Sequence, residues 1–268
     1  MVRKLALFFI VTAIIVSACG RQVTPDRAGT TPSGLNPGFM QIKFRVQAPF
    51  DFSNYRYVIV FNTSGTGTAP YANGANTNYL NYSFEFIVGG TGGVLGGPAL
   101  YEFYNQTVGG GHTVPQPVQI PYSPGTQLIF NPNSNGQNTE FSIIFDRALL
   151  YGIPLTPSPA PTTAPTQGVT PTPVPTTTPI PGTPGPQPTT ATQSIWYYNF
   201  FTAQQNGTQL IPLDALGNNG VNDVTFGPGN SLDTQASFDI TYTVPAAGVP
   251  SGATPSTTLT GSEISNAP

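Results

Sequence analysis

Phe39-Met40-Gln41-Ile42-Lys43-Phe44-Arg45-Val46 decides the fold. Met40, Ile42, Phe44 and Val46 fall on one side of an extended chain, and Gln41, Lys43 and Arg45 fall on the other. Successive side chains of a strand point to opposite faces, so this alternation marks a sheet with one buried and one wet face. The next apolar stretch, 55–61, differs. Tyr57, Ile59 and Phe61 share a face, while Val58 and Val60 make the other face apolar too. Such a strand is expected near the centre of a sheet.

Working outward, residues 80–88 give a third strand, with Leu80, Tyr82, Phe84, Phe86 and Val88 inward and Glu85 outward. Further strands are expected at 100–105, 118–122, 128–130, 141–145, 195–202, 210–213, 224–226 and 236–244. In the last of these Phe238, Ile240, Tyr242 and Val244 alternate with Asp239, Thr241 and Thr243. Residues 63–78 read as a long loop, 89–97 as a glycine-rich turn, and 146–151 as a brief helical turn or the end of a strand. No stretch carries a helical apolar period of useful length. Short strands at turn-rich spacing predict an all-β fold, an antiparallel immunoglobulin-like β-sandwich in architecture.

Composition agrees. Thirty glycines and thirty prolines in 268 residues favour turns between strands over long helices. The 17 Phe and 12 Tyr supply bulk for a core. Only 7% of the chain is charged, and the two lysines are Lys4 and Lys43. The basic surface that nucleic-acid binding requires is therefore missing. One His and one Cys leave no zinc ligand set.

The composition breaks once. Residues 154–192 hold 13 Pro and 13 Thr in 39 positions, with no charge. Too little can be buried there to offset the entropy of ordering the backbone, so a disordered, extended segment is expected. A glycosylated stalk and a proline-motif ligand are the functional alternatives. The piece after it, 193–245, is small to fold alone and lacks a disulfide. The reading is therefore one sandwich domain built from 39–153 and 193–245 and interrupted by 154–192. Two domains joined by a stalk is the alternative. Residues 19–38 read as a flexible tether and 246–268 as a polar C-terminal tail.

The amino-terminal residues give an address. Arg3 and Lys4 precede the apolar run Leu5 to Val16, and Ser17 and Ala18 precede Cys19. This is the layout of a signal peptide over 1–18. Val16-Ser17-Ala18-Cys19-Gly20 resembles the lipobox of bacterial lipoproteins. The resemblance implies cleavage before Cys19, a diacylglycerol on its thiol and acylation of the new amino group. A transmembrane span needs about 20 apolar residues, more than this run supplies. An ordinary signal peptide would leave a free, reactive thiol. Two lipid chains would anchor stably. Gly20 is not the aspartate that resembles the inner-membrane retention signal, so the expected address is the outer membrane or the outer leaflet of the plasma membrane. Without Arg3 and Lys4, six basic residues remain against 11 acidic, a formal net charge of −5.

Candidate chemistry is sparse. The single His112 follows Gly109-Gly110-Gly111 and reads as a loop residue without the rigid support that a catalytic imidazole needs. A glycoside hydrolase would need paired carboxylates. Glu85, Glu140 and Asp239 occupy outward strand positions that a solvated face explains. The 214–223 loop offers Asp214, Asn218, Asn219 and Asp223 as oxygen ligands for calcium, although Asx-turns explain the same composition. Trp196, Tyr197 and Tyr198 put rings on both faces of one strand, either as a stacking platform for carbohydrate or as a strand buried on both sides.

These residues predict a non-catalytic, lipid-anchored envelope protein that binds a glycan or cell-wall polymer. A structural or assembly component with protein partners is the alternative, and a glycoside hydrolase comes third.

Overall fold

The computed structural model describes residues 24–28, 34–65, 69–76, 79–90, 97–108, 112–151, 194–216, 231–244 and 249–268. The signal segment with Cys19, the 154–192 segment and the expected strand 224–226 lie outside the described residues.

The strands, in chain order, are β1 (Thr24–Ala28), β2 (Phe39–Val46), β3 (Tyr55–Asn62), β4 (Phe84–Val88), β5 (Ala99–Val108), β6 (His112–Gln119), β7 (Leu128–Asn131), β8 (Glu140–Asp146), β9 (Ile195–Asn206), β10 (Gln209–Ala215), β11 (Ser231–Asp233), β12 (Phe238–Thr243) and β13 (Leu259–Asn266). They form two antiparallel sheets. One runs β1-β12-β13-β2-β8-β7, and the other runs β10-β9-β3-β4-β5-β6, with β11 on the free part of β9. Strands from both sides of the 154–192 segment enter both sheets: β9 pairs with β3 and β13 with β2.

The inward residues of the two sheets meet face to face. Phe44 stacks on Phe141 at 5.1 Å within its own sheet and meets Phe200 of the other at 5.8 Å. Phe145 reaches across to Phe86 at 5.0 Å. Met40, Ile42, Phe44 and Val46 are all buried here, as their alternation predicts. Each such side chain is worth about 1.5–3 kcal/mol of burial. The opposite face of β2 carries charge. Lys43 Nζ donates to Glu263 at 2.5 Å, Arg45 Nη2 donates to Glu263 at 3.0 Å, and Arg45 Nε donates to Glu140.

Three expectations are corrected. Residues 246–268 are not a polar tail: β13 lies inside the first sheet between β12 and β2. Its buried side chains include Ser262, Ser265 and Asn266, and Ser265 Oγ donates to Asp239 Oδ1 at 3.1 Å. Asn266 Nδ2 donates to the carbonyls of Thr234 and Ala236. Hydrophobic alternation does not detect a strand that buries hydroxyls and amides. Within the expected tether 19–38, residues 24–28 form an edge strand on β12, held by a backbone ladder that requires no side-chain pattern. His112 does not sit in an unsupported loop; it opens β6, paired with Val108.

A second apolar layer explains the two-sided pattern of β3. Val58 and Val60 point away from the interior. They pack with Phe103, Phe201, Ala203 and Ala215 beneath Ala72, Ala75 and Tyr82 of the segment that follows β3. This segment includes a 3-10 turn at Ala72–Asn76 and is pinned to the sheet by Asn199 Nδ2, which donates to the Pro70 carbonyl at 3.0 Å.

Candidate functional site

Where this cover ends, the outer face of the second sheet is left with a cleft. Its volume is about 360 Å³, and its walls include Arg56, Tyr79, Glu85, Tyr101, Gln205 and Leu210. The sheet register fixes the floor. Glu85 of β4 lies between Val60 of β3 and Tyr101 of β5, so all three point to the same face. Arg56 lies further along β3, opposite Ala203 of β9.

The backbone at both rims takes conformations that only local constraint sustains. Tyr79 and Asn81 have φ of 47° and 63°, in the left-handed region. Non-glycine residues there carry strain, which the surroundings must hold in place. Here the Asn81 side chain donates to the Ala69 carbonyl at 3.2 Å, and the Tyr79 amide donates to the Gly74 carbonyl at 2.6 Å. The result leans the Tyr79 ring on Phe103, with centroids 4.7 Å apart. At the other rim Gly89 has φ +100°, and a Cβ there would lie 2.5 Å from the Tyr55 carbonyl oxygen. Only glycine lets β4 leave the sheet so close to β3.

Two buried ionisable groups, Glu85 and Arg56, line the cleft. Glu85 is 2% exposed, and its Oε1 has no hydrogen-bond partner among the described residues. Burial pushes its carboxyl up to about 8. At neutral pH it is a carboxylic acid that can donate as well as accept. Burial likewise raises the hydroxyls of Tyr79 and Tyr82, so both stay neutral. Arg56 is 5% exposed. Its Nη1 donates to the Tyr55 carbonyl at 3.1 Å and its Nη2 to Gln205 Oε1 at 2.5 Å. Desolvation lowers its affinity for the proton, and no carboxylate offsets that among the described residues. A guanidinium has five N–H donors; two are used, which leaves three.

The residues expected from sequence fall elsewhere. Trp196 and Tyr198 are wholly buried in the sandwich interior. Trp196 meets Phe61 at 6.1 Å, and the Tyr198 hydroxyl donates to that of Tyr242. Tyr197 is half-buried on the outer face of β9. The strand is therefore covered, not a free platform. Asp214 is also fully buried. Its Oδ1 accepts from the Ala215 amide at 3.0 Å and its Oδ2 from the Leu259 amide at 2.8 Å, which ties the two sheets together. Asn218, Asn219 and Asp223 lie outside the described residues. Among the described residues no three His, Cys, Asp or Glu side chains gather as a metal site. Glu140 and Asp239 pair with neighbours: Glu140 with Arg45 and Ser134, Asp239 with Ser265.

Sequence reasoning put Glu85 on a solvated face and did not single out Arg56, Tyr79 or Tyr101. The signal was Val58 and Val60: a strand apolar on its outer side must be covered, and a polar residue beside it shares that cover. Among the cleft residues Glu85 is the one carboxyl. The arrangement supplies two rings, a cation, a neutral acid and an amide, which suits recognition. No family model, no curated protein and no solved structure matches the chain.

Proposed function

We propose that the chain is an exported envelope protein, lipid-anchored through Cys19, whose immunoglobulin-like sandwich binds a glycan or cell-wall polymer without catalysis. The disordered Pro/Thr segment 154–192 is an excursion from that sandwich. The reading moves the binding surface from the Trp196 strand to the cleft over β3, β4 and β5. The cleft carries it: a concavity of about 360 Å³, within the size range of small-ligand pockets, with Tyr79 and Tyr101 rings beside polar groups. Tyrosine suits this use because its ring offers an apolar face to a sugar and its hydroxyl stays wet. A hydrolase reading is less well supported, since a second carboxyl would be needed alongside Glu85.

The structural or assembly reading has one observation in its favour. β7 is an edge strand of the first sheet, and its Ile129 is 45% exposed. Open edges recruit partner strands. At the other sheet's edge, β6, Pro115 and Pro117 remove two donors and blunt that route.

The test is retention of the purified chain on insoluble polysaccharides and peptidoglycan, with and without calcium. Retention that Tyr101→Ala abolishes supports the cleft. Loss of retention on chelation brings in the loop after Asp214. No retention on any polymer refutes the binding reading and favours protein partners.

A further inference from the structure

Resting on the glycan-binding reading, we infer that the cleft takes an acidic sugar, a ring whose carboxylate is held by Arg56 and whose hydroxyl groups meet the buried Glu85. Three observations carry this. The first is the guanidinium itself. Burying a cation is costly unless a counter-charge is supplied, and none is found among the described residues. Arg56 is instead held in place by Tyr55 and Gln205, with three donors still unassigned, and a planar fork of donors matches a carboxylate. The second is the Glu85 Oε1 atom, buried at the cleft and lacking a partner. Buried polar atoms in folded proteins are generally satisfied, so an orphan lining a cavity points to a ligand group that completes it. The third is the pair of rings. A sugar can lie against Tyr79 and Tyr101 while its substituents reach the polar walls.

The two charges also make the site sensitive to pH. The ionisable groups around Glu85 are Tyr101 on the neighbouring strand, Tyr79 and Tyr82 on the cover, and Arg56 on β3. Glu85 is neutral below about 8 and anionic above it. Ionisation removes its donor proton and sets a negative charge beside an anionic ligand. An acidic sugar therefore binds below pH 8 and is released as pH rises past it. Affinity at pH 9 should be about tenfold below that at pH 6.

The experiment is calorimetric titration of the full chain, purified in detergent, with trigalacturonate, a muramic-acid disaccharide and the methyl ester of each. The esters keep the shape and remove the charge. At least one acid should bind, and its ester should bind about tenfold more weakly or worse. Arg56→Met should erase that difference, with Arg56→Lys as a folded, charged comparison. Glu85→Gln should remove the change between pH 6 and pH 9. Glu263→Gln, on the other sheet, should leave binding as it is. Acid and ester binding alike would overturn the acidic-sugar inference and leave the glycan reading intact. Absence of binding by either acid would overturn it too. The glycan reading itself falls only if no polymer of the retention panel is held.

Discussion

Replacing Glu85 by glutamine should stabilise the protein, and by an amount that depends on pH. Glutamine has the same shape and no titratable proton. The Glu85 carboxyl titrates at about 8 in the folded chain and near 4.5 when exposed. Below pH 4.5 it is neutral in both states and contributes no pH dependence. Between 4.5 and 8 the unfolded chain ionises while the folded chain keeps its proton, so the folded state binds more protons and stability falls as pH rises. Above 8 the loss is complete. One pH unit of displacement corresponds to about 1.4 kcal/mol, so the full effect is about 5 kcal/mol, with about 3 kcal/mol already lost at pH 7. The residue is wholly buried, so solvent screening does not reduce this. Urea unfolding of both proteins at pH 4, 7 and 9 measures it. The difference in unfolding free energy should open from near zero at pH 4 to several kcal/mol at pH 9. The other titrating groups are common to both proteins and cancel. Parallel curves at all three pH values would refute the buried, unpaired carboxyl and the cleft chemistry built on it.

Ile264→Ala should cost about 2–5 kcal/mol in the same assay, because its side chain is wholly enclosed between the sheets. Deletion from residue 247 onward should abolish cooperative unfolding, since it removes the strand between β12 and β2. Gly89→Ala should destabilise by more than about 1 kcal/mol, because the new Cβ would collide with the Tyr55 carbonyl. Tyr57→Phe should cost about 1–3 kcal/mol, since the hydroxyl accepts from the Asp51 amide and donates to the Ser256 carbonyl, both at 3.0 Å. Arg45→Met should cost more than the roughly 0.2–1 kcal/mol of an exposed pair, because the side chains of its partners Glu140 and Glu263 are only 11% and 12% exposed and Glu140 would lose its cation.

The sandwich was legible where burial is hydrophobic and alternating. Residues 39–46, 141–145 and 236–244 each carry the alternating period that places β2, β8 and β12, and the two-sided apolar run 55–61 places β3. Two kinds of strand escaped. β1 is an edge strand laddered to β12. β13 buries serine and asparagine, whose worth inside a protein depends on partners elsewhere in the chain, here Asp239, Thr234 and Ala236. The cleft was illegible for a related reason. Glu85 reads as solvated until Ala72, Ala75 and Tyr82 are known to fold back over Val58 and Val60. That path depends on two residues, Tyr79 and Asn81, in backbone conformations their identities do not advertise. Trp196 drew attention by its size, and size is also what the interior selects.

The place of β13 has a consequence for how the molecule comes into being. Lys43 and its partner Glu263 are 220 residues apart, yet their strands are neighbours. A chain emerging from its amino terminus offers β2 early and the strand that must lie beside it very late. Until then β12 and β2 lack the neighbour that joins them, and the backbone edge of each facing β13 is unpaired. Joining them requires a long-range pairing of the slow kind. The first sheet therefore cannot be completed before residues 259–266 are made.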